Sequence, residues 1–230
     1  MLKINVLQLI VIFLFITAIS ILLVKNAPIV IVPTSSLPVA NHTIVLDAGH
    51  GLPDGGAVSK NGISEEQINL QIVLKLQELL ESSGCNVVLT RSDENGIYDA
   101  NAKSKKASDL KNRIDIINSS GADCLVSIHL NKIPQQQYYG WQSFYQKDND
   151  ESKALAKSIQ SSLNYSTGID NKRQSLPISN IYLMDNSNIP STLIECGFLS
   201  NKAECAMLQD DEYQNKLTWG IYTGIMDFLN

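Results

Sequence analysis

Hydrophobic and polar positions along the chain first separate an apolar N-terminal run from a body that alternates between two periods. From Val6 to Val24 the chain is apolar apart from Gln8, Thr17 and Ser20, and lysines flank it at Lys3 and Lys25. A helix of about twenty apolar residues matches the thickness of a bilayer core. Lys25-Asn26-Ala27 is a poor cleavage site, so residues 1–25 are expected to be an uncleaved signal anchor rather than a removable leader. A buried core helix is disfavoured because the run is apolar on every face. Residues 26–41, with Pro28, Pro33 and Pro38, read as an extended linker. Residues 42–230 are then the folded domain.

In that domain Thr43–Ala48 reads as a buried strand, and Ile68, Ile72, Leu76 and Leu80 form one stripe of a helix over Glu65–Ser82. Asn86–Thr90 is a second strand; Leu110, Ile114 and Ile117 mark a second helix; Asp123–His129 is a third strand. Gly140–Tyr145 alternates like an edge strand, Leu155, Ile159 and Leu163 mark a third helix, and Ile181–Met184 and Thr192–Cys196 are short strands. Leu217, Ile221 and Ile225 mark a terminal helix. Repeated strand–helix–strand units predict an α/β sandwich with a largely parallel sheet. The polar stretch Asp93–Lys106 is expected to be a mobile surface loop.

Composition narrows the partners. The chain has 230 residues, 44% of them hydrophobic, and a net charge of −5; this size suits one well-buried domain plus a tail. No basic patch interleaved with aromatics occurs, which argues against nucleic acid as a partner. Cys85, Cys124, Cys196 and Cys205 have no C-x-x-C spacing and are expected to be small buried hydrophobes with free thiols.

Chemistry enters at the strand ends, where functional groups gather in open parallel sheets. His50 lies just past the first strand, His129 ends the third, Glu195 ends a late one, and Glu65 opens the first helix. Two imidazoles and a carboxylate, with one position left for water, are a ligand set of hydrolytic zinc sites. Glu195 is the candidate acid–base group, since a carboxylate in an apolar strand is costly without a role. Asp47, Ser127 and Asn131 are candidates to orient a ligand. Each residue has a plainer reading: Glu65 as a first-turn carboxylate favoured by the helix dipole, Glu195 as the partner of Arg113, His42 as a structural hydrogen-bonder. On spacing alone Glu66 serves as well as Glu65. Tyr138, Tyr139 and Trp141 are a candidate contact surface or ordinary partly buried aromatics. Lys172 and Arg173 hold acidic substrate groups or form a solvated charge pair.

Val45-Leu-Asp-Ala-Gly-His-Gly51 with Gly55-Gly-Ala57, Glu65 with Leu70, Val88-Leu-Thr-Arg91, Leu110–Asn118, Ser127-Ile-His-Leu-Asn131 and Pro190–Asn201 occur in a fixed order. Together they resemble the zinc-dependent N-acetylmuramoyl-L-alanine amidases of the type 3 class, and within it the germination-specific, spore-cortex subgroup. The resemblance runs from about Thr43 to the C-terminus. It implies a three-layer αβα sandwich with a mostly parallel mixed sheet, one Zn2+ held by His50, Glu65 and His129, and a catalytic Glu195; it selects Glu65 over Glu66. It implies a peptidoglycan substrate, cut between N-acetylmuramic acid and L-alanine ahead of muramic-lactam formation. Leu52 departs from a glycine found in many relatives and is expected to narrow the loop beside the metal. The alternatives are a zinc peptidase cutting within the stem peptide, and a non-catalytic anchored wall-binding module. The anchor is expected to hold the domain on the outer face of a membrane, in the space between forespore and mother cell; an activating protein partner is compatible with the sequence, which identifies none.

Overall fold

The computed structural model describes residues 41–230 and, before them, residues 13, 15 and 17 alone, which are helical. The expected anchor and linker otherwise lie outside the described residues. Among the described residues no helix is long and apolar enough to cross a membrane.

The folded unit is a single six-stranded sheet of β1 (Thr43–Ala48), β2 (Asn86–Leu89), β3 (Cys124–Asn131), β4 (Gln142–Gln146), β5 (Leu176–Ile178) and β6 (Ser191–Phe198). Its order is β2-β1-β3-β6-β4-β5. All neighbours are parallel except β4 and β6. The central strands are apolar at nearly every position because both faces are covered. Ile44, Leu46, Val126, Ile128 and Ile194 pack with α1 (Glu65–Ser82), α3 (Asp150–Thr167) and α6 (Asp211–Leu229). The alternate set, Val45, Leu125 and Leu193, packs with α2 (Lys105–Ser119) and α4 (Tyr182–Asn186). The result is the three-layer αβα sandwich with a mixed sheet. The stripe Ile68, Ile72, Leu76 and Leu80 of α1 is fully or almost fully buried.

Three elements differ from the sequence reading. Ile181–Met184 is not a strand: Tyr182–Asn186 is a short helix, with Asp185 N–H donating to Ile181 O at 2.9 Å and Ser187 N–H to Leu183 O at 3.0 Å. Leu183 and Met184 are both buried although adjacent, a pattern that a strand covered on both faces also shows, so burial alone does not separate helix from strand. A run of four apolar residues carries too little periodicity to separate the two. β4 is not the edge strand, because β5 pairs outside it; β5 has three residues and a proline at its centre, tolerated at a sheet edge. α5 (Lys202–Met207) adds a turn capped by Asn201, whose side chain accepts from Ala203 N–H and Glu204 N–H.

Residues 93–106 are also tied down rather than loose. Leu52 N–H donates to Glu94 O, Gly96 N–H to Leu52 O, and Ile97 N–H to the Asp109 carboxylate; Lys105 and Lys106 belong to α2. The four cysteines are buried free thiols.

Candidate metal centre and cleft

β1 ends at Ala48, and the chain turns through Gly49, His50 and Gly51 into the loop that leads to α1. His50 is left-handed at φ 64, an uncommon conformation for a residue with a side chain. Two buried arginines hold this turn by its carbonyls. Arg91 donates to Ala48 O at 2.8 Å and Gly49 O at 3.0 Å, and Arg113 donates to Ala48 O at 2.7 Å and to His50 O. Arg113 is paired in turn with Asp47 at 2.7 Å. Asp47 also accepts from Thr90 and Ser127. Burial opposes the Asp47 charge, but Arg113 and these two hydroxyls outweigh it and hold the pKa at about 2.

The loop returns so that Glu65, the first residue of α1, reaches under both histidines. Its Oε1 lies 3.2 Å from His50 Nε2 and 3.0 Å from His129 Nδ1. The same carboxylate accepts backbone N–H groups from Leu130 at 3.0 Å and Ala57 at 2.8 Å. Burial alone would raise the Glu65 pKa; hydrogen bonds from His129 and His50 overcome this and hold it far below the carboxylate range. For His50, burial favours the neutral ring, but Glu65 and then Asp54 raise the pKa. One donor atom from each of His50, Glu65 and His129 lies within 4.8 Å of the others. The structure thus brings the three predicted ligands together and excludes Glu66, whose carboxylate accepts from Ser64 instead.

Two glycines make room for the cluster. A Cβ on Gly49 would lie 2.3 Å from His129 Cε1, and one on Gly56 2.7 Å from Glu65 Oε2 and 2.7 Å from His50 Cδ2. Two imidazoles and an ionised carboxylate, crowded this closely and opening onto a cleft, fit a zinc-type ligand set.

Glu195 is the cross-strand neighbour of His129 in the β3–β6 register, next to an irregularity in the pairing. Its Oε2 is buried and has no hydrogen-bond partner among the described residues. Burial pushes its pKa up to about 7, the nearby His129 and His50 pulling down and Glu65 pushing up. Arg113 is engaged with Asp47 and Asp109, so the expected alternative pairing with Glu195 gives way to those two carboxylates. Glu195, His50 and His129 line a cleft of about 780 Å³, together with Tyr98, Lys105, Lys106, Ile181 and Tyr182.

Several candidates fall outside the cleft. Trp141 is fully buried, its indole N–H bonded to Asn164, so it is a core residue and not a contact surface; Tyr138 and Tyr139 are exposed. Lys172 pairs with Asp170 at the surface, while Arg173 donates to Tyr139 O and to Gln142. Asn131 lies at the irregularity, its carbonyl accepting from Leu199 N–H. Leu52 is 40% exposed and stands outside the cleft lining, to which its neighbours Gly51 and Pro53 belong. His42 pairs with Asp123 at 3.0 Å. The residues missed in the sequence are Arg91 and Asp54; a cation closing an apolar strand was the available signal for the first.

Fold and site together define an α/β enzyme with a candidate metal centre at the carboxyl ends of its strands. The family model for N-acetylmuramoyl-L-alanine amidase matches residues 44–227, and the chain belongs to that family. The germination-specific N-acetylmuramoyl-L-alanine amidase of Bacillus subtilis is 39% identical over 198 residues, covering 84% of this chain and 82% of the relative. The solved CwlD amidase from Clostridioides difficile, in complex with the GerS lipoprotein, is 50% identical with a TM-score of 0.80, covering 82% of this chain and 98% of that one. A second N-acetylmuramoyl-L-alanine amidase, from Clostridium difficile 630, is 33% identical with a TM-score of 0.73, covering 82% and 97%.

Proposed function

We propose that this amidase binds one Zn2+ through His50, Glu65 and His129 and hydrolyses the amide between the lactyl group of N-acetylmuramic acid and L-alanine. The observation that carries the reading is the His50–Glu65–His129 cluster, with the unpartnered Oε2 of Glu195 lining the same cleft. Zn2+ bound there would polarise the scissile carbonyl and lower the pKa of water. Glu195, whose buried Oε2 lacks a partner among the described residues, takes a proton from the attacking water and returns it to the leaving nitrogen of L-alanine. Glu65 stays ionised throughout, and the Arg91–Arg113 clamp keeps the His50 turn from moving as charge shifts.

The site of action we infer is spore-cortex peptidoglycan, where removal of the stem peptide precedes deacetylation and muramic-lactam formation. The similarity to the germination-specific amidase supports this. The N-terminal apolar run is the anchor that keeps the domain on the outer face of a membrane, between forespore and mother cell. A lipoprotein is the class of partner we infer, by analogy with the CwlD amidase, which is solved in complex with one. Mass spectrometry of cortex peptidoglycan digested by the purified protein tests the reading. It should find stem peptides with a free L-alanine amine and muramic acid without peptide. Fragments cut inside the stem would make the protein a peptidase, and intact wall with bound protein a binding module.

A further inference from the structure

We propose that Asp54 is the positioning residue that decides which nitrogen of His50 faces the metal centre, and that Lys106 holds Asp54 there; this rests on the metal reading above. An imidazole ligand offers one bare nitrogen, and the group that takes the N–H of the other sets the tautomer and the ring orientation. The two histidines are used differently. His129 turns Nδ1 towards Glu65 Oε1, at 3.0 Å. His50 turns Nε2 towards the same oxygen, at 3.2 Å, and its Nδ1 lies 3.2 Å from Asp54 Oδ1.

Asp54 is held from several sides. Its Oδ1 also accepts Gly56 N–H at 3.1 Å, its Oδ2 lies 3.2 Å from Lys106 Nζ, and its backbone N–H and C=O pair with Gly51 at 3.0 Å each. This fixation matters because His50 sits in a left-handed turn. The chain continues from there into a loop, so no strand pairing sets the direction of its ring. Lys106 comes from the first turn of α2, where a cation opposes the helix dipole. Its ion pair with Asp54 joins the wall of the cleft to the metal ligand.

The test is Zn2+ affinity of the full chain by competition with a chelator, together with 15N spectra of the histidine rings. Asp54→Ala should bind Zn2+ about 10–100-fold more weakly, and in the metal-free chain His50 should lose its preference for the Nδ1–H form. Asp54→Asn, which still offers an oxygen to Nδ1–H, should recover much of the loss. Lys106→Met should cost about twofold to fivefold, the worth of an exposed ion pair. Wild-type affinity in Asp54→Ala, or an unchanged His50 tautomer in it, overturns the proposal. If Asp54→Ala does not fold, wild-type affinity in Lys106→Met overturns it. Failure of the wild-type chain to bind Zn2+ would instead sink the metal reading.

Discussion

Replacing Glu195 by glutamine keeps the size of the side chain and removes its charge. In the metal-free protein the carboxyl is buried with one oxygen unpartnered, and its pKa rises from an ordinary 4.5 to about 7. A carboxyl with a raised folded-state pKa binds more protons folded than unfolded, so stability falls as pH rises between the two values and is flat above the upper one. At about 1.4 kcal/mol per tenfold change in acidity, ionisation costs the fold on the order of 3 kcal/mol. Glu195→Gln escapes that cost. Urea unfolding in EDTA should show the variant more stable than wild type at pH 8, by up to about 3 kcal/mol, with the gap closing near pH 4.5. Hydrolysis by the zinc-loaded variant should fall about 10²–10⁴-fold, the worth of a general acid–base group. A gap that ignores pH, or a variant less stable at pH 8, would refute the argument from burial; full activity would refute the role assigned to the residue.

Asp47→Asn leaves Arg113 without its buried partner and should cost about 3–5 kcal/mol at pH 7 in urea unfolding. Because the folded pKa of Asp47 is depressed to about 2, that stability is present above its unfolded pKa and is lost as pH falls towards 2, so the gap to wild type should narrow there. Gly56→Ala places a Cβ 2.7 Å from the Glu65 carboxylate in a left-handed residue at φ 66. It should destabilise by about 1–2 kcal/mol from backbone strain alone and weaken Zn2+ binding in a chelator competition. Trp141→Ala empties a fully buried site and should lower stability by about 3–5 kcal/mol without changing Zn2+ affinity.

The chain shows its central elements openly because their environments are simple. α1 buries one stripe at helical spacing, and β1 and β3 are buried on both faces, so Ile68–Leu80 and Ile44–Ala48 announce themselves. His50, His129 and Glu195 are readable for the same reason: each is a polar residue at the end of an apolar strand. What stays hidden depends on contacts distant in sequence. Nothing local separates Glu65 from Glu66; the loop that brings Gly56 beside one of them does. Arg113 reads as a partner for Glu195, and Arg91 has no evident role, until their guanidinium groups reach the carbonyls of one turn. Asp54 stands in a glycine-rich loop and gains meaning only beside His50 Nδ1. Tyr182–Asn186 and β5 are too short for periodicity to declare them, and the backbone hydrogen bonds that tie Glu94 and Gly96 to Leu52 leave no mark on the polar composition of residues 93–106.

The central claim is that the His50–Glu65–His129 cluster is a hydrolytic zinc site. Its most direct test is a titration of the metal-free enzyme with Zn2+, with released stem peptide measured at each addition. Activity should rise from nil and break at one Zn2+ per chain, and Glu65→Ala should stay inactive at every addition. Activity that survives removal of the metal, or that returns fully in Glu65→Ala, would contradict the assignment.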